Sequence, residues 1–157
     1  MKAVELSPYI IAKRNLAGDS ITNKKLQKLL YYVKAWGVVY FEDGVIDDDF
    51  EAWMHGPVCP PVYQEYKKFG FSPIPLFDSE DSAQDFVNTF ENAFADTDKL
   101  DMINAVFNKY GQLTAMQLEL LTHQETPWIE SRKGLSPIEQ GHSIISVESM
   151  RRFYGKE

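Results

Sequence analysis

Three histidines and one cysteine are the side chains of this 157-residue chain best suited to acid–base, nucleophilic or metal chemistry. His55, His123 and His142 are far apart and none falls in a recognised ligand spacing, so neither a metal nor any other cofactor is expected. Cys59 follows His55 by four residues, a spacing that would pair thiol and base on a helix. Gly56-Pro57 between them breaks such a helix, and a lone cysteine is more often an inert buried residue than a nucleophile. A denser polar group follows in His123, Glu125 and Arg132, where the carboxylate could orient the imidazole as in many active sites. Because buried polar groups must be hydrogen-bonded, this cluster, bounded by Thr122 and Trp128, reads first as a structural network. No serine sits in a nucleophile elbow and no glycine-rich loop opens a helix in a phosphate-binding pattern. The chain is therefore read as a non-enzyme.

The elements that must position these residues are mostly helical. Ser7-Pro8 reads as the cap and first residue of a helix that ends at Gly18. After Ile21-Thr22-Asn23, residues Leu26, Leu29, Leu30, Val33, Trp36 and Tyr40 recur at helical spacing and give the strongest helix. Lys24, Lys25, Gln27, Lys28 and Lys34 fall mostly on its other face and predict a basic, solvated surface. Tyr31 and Tyr32 diverge by about 100° on a helix, so one of them should leave the apolar stripe and face a partner.

Phe50 to Met54 alternates as a short strand, which Gly56-Pro57 should break; Pro60-Pro61 then opens a helix through Tyr63 and Phe69. Pro73 and Pro75 make Ser72 to Leu76 an extended edge segment. Further helices are expected after acidic Asp78 to Asp85, from Asp96 to Gly111, from the capping box Thr114 to Gln117, from Thr126 to about Gly134, and from Ser146. A capped helical turn is expected at Ser136 to Glu139 and a short strand over His142 to Ile145. The expected fold is mainly α (α+β), a compact bundle of about six helices with a small two- or three-stranded sheet.

Length and composition agree with one globular domain over residues 1–157: 44% hydrophobic and 25% charged residues are ordinary values for a chain with one core. Apolar runs such as Leu29 to Val33 stop well short of the roughly 20 residues that span a bilayer. Lys13-Arg14-Asn15 comes too early to leave room for a secretory signal, and a cytoplasmic location is expected. A net charge of −7 disfavours phosphate backbones and anionic lipid and suits a basic protein partner, so neither a membrane nor nucleic acid is the expected partner.

Two blocks of residues then resemble a known family. Ile21 through Tyr32 (ITNKKLQKLLYY), Phe50 through Val58 (FEAWMHGPV) and Val62-Tyr63 resemble the Panacea domain, the family of SocA-like antitoxins and phage-associated proteins. Leu121 through Ile129 (LTHQETPWI), with Arg132, resembles the C-terminal pattern of the same family. Met54 departs from it, where an aromatic or basic residue is common, as does the acidic stretch Asp78 to Asp85. The resemblance implies a mainly helical antitoxin that neutralises a cognate toxin, encoded by an adjacent gene, through direct protein contact. It further implies that such a protein can present the toxin to a AAA+ protease.

On this reading Lys28, Tyr31, Tyr32 and Tyr63 are the expected partner contacts. Trp53, His55, Gly56, Pro57, Thr122, His123, Glu125, Trp128 and Arg132 are expected to be mainly architectural. Trp53 is expected to be a buried aromatic whose truncation unfolds the domain, at about 3 to 5 kcal/mol. Two other readings compete: a nucleic-acid-binding regulator using Lys24, Lys25, Lys28 and Lys34, and a hydrolase built on His55, His123 and Glu125.

Overall fold

The strongest helical period in the sequence becomes the central helix. The computed structural model describes residues 1–156, and in it α2 (Asn23–Tyr40) is buried along nearly its whole length. Thr22 caps it by accepting from the Lys25 amide at 3.2 Å. Helices α1 (Ala3–Leu16), α3 (Pro60–Tyr66), α5 (Thr97–Tyr110), α6 (Ala115–His123) and α8 (Val147–Tyr154) pack around α2. α4 (Glu80–Ala93) lies on α1, where Phe90 stacks on Tyr9 with ring centroids 4.3 Å apart. α7 (Thr126–Ser131) bridges α6 and α8. With the two-stranded sheet described below, these eight α-helices make the described residues mainly α with a small sheet, as expected, with one helix for each of the eight helical segments the sequence marks. None of them is long and apolar enough to cross a membrane.

The wrapping of α2 on all sides corrects two expectations. Its lysines do not form a solvated face: Lys25, Lys28 and Lys34 are buried, and so is Gln27. Buried ammonium groups need partners. Lys25 pairs with Asp19 at 2.6 Å and donates to the Gly111 carbonyl, while Lys34 donates to the Ile46 carbonyl at 2.9 Å. Nor does either adjacent tyrosine leave the apolar stripe. Tyr31 and Tyr32 both lie in the core, because α8 and α5 cover the sectors into which they diverge. Tyr32 stacks on Tyr110 at 3.9 Å, and the Tyr31 and Tyr154 hydroxyls are 3.2 Å apart.

Helix α1 begins at Ala3, four residues before the predicted cap, and carries Pro8 inside it. The Ser7 hydroxyl donates to the Ala3 carbonyl at 2.8 Å rather than capping a new helix. The proline removes one early backbone bond, which the burial of Leu6, Tyr9 and Ile10 outweighs.

Gly56-Pro57 does not end the sheet; it forms its second strand. β1 (Glu51–Trp53) and β2 (Gly56–Val58) are antiparallel, with Trp53 opposite Gly56 and Ala52 opposite Pro57. Proline is tolerated there because Ala52 points its backbone groups away from β2, its amide to Ser143 O and its carbonyl to Arg132. Ala52 and Pro57 thus form a non-hydrogen-bonded pair, where a missing N–H removes no rung.

His142 to Ile145 stops short of a third strand, with one bridge from Ile144 to Glu51 and an Ile145 amide bond to Phe50 O. Residues 72–76 likewise make a single bridge, Pro73 to Thr22. α7 ends at Ser131, short of Gly134, and Ser136 to Glu139 is a turn without a helix.

Candidate functional site

Asn23, Lys24, Gln27 and Lys28 lie along one side of α2, and the β-hairpin and α3 fold back over that side. The side chains of α2 fasten them. Gln27 Oε1 accepts from the Cys59 amide at 2.8 Å, its Nε2 donates to Asn23 Oδ1 at 2.9 Å, and Asn23 Nδ2 donates to the Tyr63 carbonyl at 3.2 Å. Between helix and hairpin lies a cavity of about 470 Å³. Trp53, Val58 and Tyr63 line its apolar part, with the Trp53 and Tyr63 rings edge to face at 4.9 Å. Phe71, also in the lining, is 97% exposed.

Lys28 lines this cavity yet is only 1% exposed, and its ammonium makes no hydrogen bond or ion pair with the described residues. Burial pushes its amine down to about 7; neighbouring Lys24 lowers it further and Glu119 offsets part of this. Gly56 makes the room. A Cβ there would lie 2.7 Å from Lys28 Cε and 3.2 Å from both Lys28 Nζ and Thr122 Oγ1, and the backbone has φ +114°, which favours glycine. The His-Gly-Pro motif is thus the lid of a buried lysine.

Helix α6 supplies the charges beside it. Glu119 pairs with Lys24 and lies 3.5 Å from His55 Nδ1. Burial raises the Glu119 carboxyl, but Lys24 and His55 together outweigh it and hold the group below its ordinary value. One turn on, His123 stacks on Trp128 at 3.9 Å, and its buried Nε2 has no hydrogen-bond partner among the described residues. Burial lowers its pKa, and the nearby Lys28, His55 and Arg132 charges add to that, against the pull of Glu119. Thr122 donates its hydroxyl to the Glu119 carbonyl at 2.9 Å.

The C-terminal block clamps the hairpin from outside. Trp128 Nε1 donates to the Trp53 carbonyl at 2.9 Å. Buried Arg132 donates to the Ala52 carbonyl at 2.9 Å and to the carbonyls of Ser136 and Glu139. The two sequence blocks therefore meet in space, joining His55, Gly56, Thr122, His123, Trp128 and Arg132 around Lys28 and Trp53. Trp53 itself is half-buried rather than buried, because its ring faces the cavity; this corrects the expectation that its removal would empty the core.

Glu125 belongs elsewhere. Its Oε1 accepts from the Tyr32 and Tyr154 hydroxyls at 2.7 and 2.8 Å, inside the tyrosine cluster of the core. Burial raises both phenol pKa values, and the neighbouring carboxylate raises them further. The carboxylate that bears on the two histidines is Glu119, so the arrangement His55–His123–Glu125 is not assembled. His142 is exposed, 3.2 Å from Glu51. Cys59 is fully buried, with burial pushing its thiol up to about 12.

Sequence reasoning missed Asn23, Gln27, Glu119 and Phe71. Asn23 and Gln27 sit one helical turn apart, as do Glu119 and His123, so their spacing already placed each pair on one face.

Searches of curated proteins and of solved structures found no match. The family described as antitoxin SocA-like, Panacea domain, matches residues 26–129, which contain the lysine, the hairpin and the Thr122-His123 and Pro127-Trp128 pairs gathered here. With about two thirds of its length matched, the chain belongs to the SocA-like antitoxin family of Panacea domains.

Proposed function

We propose that this protein is an antitoxin that neutralises a cognate toxin, encoded beside it, by direct protein contact, and that it performs no catalysis of its own. The observation that carries this is the family match together with an aromatic-lined cavity whose wall includes the motif residues Lys28, Trp53, His55 and Tyr63. Interface anchors are typically aromatic side chains around a pocket, and Trp53, Tyr63 and Phe71 have that placement. Lys28 and Tyr63 remain as partner contacts, whereas Tyr31 and Tyr32 serve the core. The chain's charge of −7 favours encounter with a basic partner.

A regulator acting through Lys24, Lys25, Lys28 and Lys34 gains no support, since three of the four lysines are buried and Lys24 is paired with Glu119. Counterion release requires phosphate-accessible cations.

The test is co-expression with the product of the neighbouring gene, scoring growth and co-purification together. Rescue of growth with a stable complex is the expected result. Rescue with disappearance of the neighbour identifies delivery to a AAA+ protease as the route. A harmless neighbour that forms no complex refutes the proposal.

A further inference from the structure

Lysine is almost never fully buried unless paired, because removing an ammonium group from water is expensive. Lys25 and Lys34 on the same helix obey that rule through Asp19, Gly111 and Ile46. Lys28 breaks it, and it does so at the wall of a cavity. The carboxylate whose charge acts on it, Glu119, is already engaged by Lys24 and His55. In a chain of charge −7, the cavity lining contains Lys24, Lys28, Lys67 and His55 and no acidic residue. Its volume of about 470 Å³ is in the range of sites that enclose a small ligand or a few side chains. Phe71, fully exposed in the lining, supplies apolar surface for an occupant to cover.

We infer that this cavity receives an acidic side chain of the partner protein, whose carboxylate pairs with Lys28 while an adjacent apolar side chain packs among Trp53, Tyr63 and Phe71. The inference rests on the antitoxin reading and specifies how the partner is recognised. The contact is a local acid on a partner whose overall charge is basic: long-range attraction speeds encounter, and the buried pair gives specificity. Gly56 is then required because its hydrogen leaves the Lys28 ammonium reachable from the cavity.

The experiment measures the dissociation constant of the complex with the neighbouring gene's product by calorimetry between pH 7 and 9, for the wild type and for Lys28→Met. Methionine keeps an unbranched side chain out to the Cε position and removes the charged terminal group, and thermal melting confirms folding. Lys28→Met is expected to weaken binding about 30-fold or more, as for removing one member of a buried charge pair.

In the wild type the amine must take up a proton to pair above pH 7, so affinity should fall by up to about tenfold per pH unit; the variant should lack that component. If Lys28→Met fails to fold, acid-to-amide substitutions across the partner replace it, and one of them must reproduce both the loss and the missing pH dependence. Unchanged affinity and unchanged pH dependence in a folded variant overturn this inference and leave the antitoxin reading standing. Absence of any complex with the wild type overturns both.

Discussion

Replacing Lys28 with methionine should stabilise the free protein, and the gain should shrink as pH rises. In the unfolded chain the amine has its ordinary value of 10.5, while burial holds it at about 7 in the native state. Between those values the unfolded state binds more protons, so raising the pH increases stability. The lysine's penalty is therefore complete below pH 7, declines between 7 and 10.5, and vanishes above. The gap between those two values, at 1.36 kcal/mol per pH unit, sets the full penalty at about 5 kcal/mol. From pH 7 to pH 9 the wild type should recover roughly 2 kcal/mol of it. Urea denaturation at pH 7, 8 and 9, wild type against Lys28→Met, isolates this slope because all other groups cancel in the difference. The variant should be the more stable at pH 7, with a difference that narrows toward pH 9. A difference independent of pH, or a less stable variant at pH 7, would refute the assignment of Lys28 as a buried, unpaired amine.

Other substitutions test the frame around it. Gly56→Ala should destabilise by about 1 to 3 kcal/mol, from a positive φ and a Cβ set 2.7 Å from Lys28 Cε; pairing it with Lys28→Ala should return part of the loss, measured by a double-mutant cycle in urea. Tyr154→Phe should cost about 1 to 3 kcal/mol in thermal or urea melts, because it removes one of the hydroxyls holding the Glu125 carboxylate. Trp53→Ala should leave a folded protein with a clear melting transition while impairing partner binding, since its ring is half-buried at the cavity. The Cys59 thiol should not react with a disulfide reagent at pH 8 until the protein is unfolded, which absorbance of the released chromophore would follow.

Much of the helical frame was legible because its signals are local. The Thr22, Thr114 and Ser146 caps and the period of Leu26 to Trp36 all appear where the residues place them. What could not be read was how many neighbours α2 would have. A helix with lysines on one face reads as amphipathic, and only tertiary contacts reveal that Asp19, Gly111 and Ile46 satisfy Lys25 and Lys34 in the interior. The same burial took Tyr31 and Tyr32 out of the surface.

At the candidate site the motif residues were identified from the resemblance, and their convergence depended on backbone acceptors that sequence does not display. Arg132 reaches Ala52 O and Trp128 reaches Trp53 O. Glu125 lies near His123 in sequence, but at the corner between α6 and α7 the chain turns it toward Tyr32 and Tyr154 instead. Gly56-Pro57 misled for a related reason: proline is excluded from hydrogen-bonded positions of a ladder, and this one occupies the other kind.

If the protein acts as proposed, Lys28, the hairpin, Tyr63 and Phe71 form its partner-binding face around the cavity. Hydrogen exchange on the complex with the neighbouring gene's product, compared with the free protein, tests this. The expected result is slowed exchange in residues 53–58 and 63–71, with the face formed by α5 and α8 unchanged. Slowed exchange confined to the α5 and α8 face, with the hairpin and residues 63–71 unaffected, would contradict it.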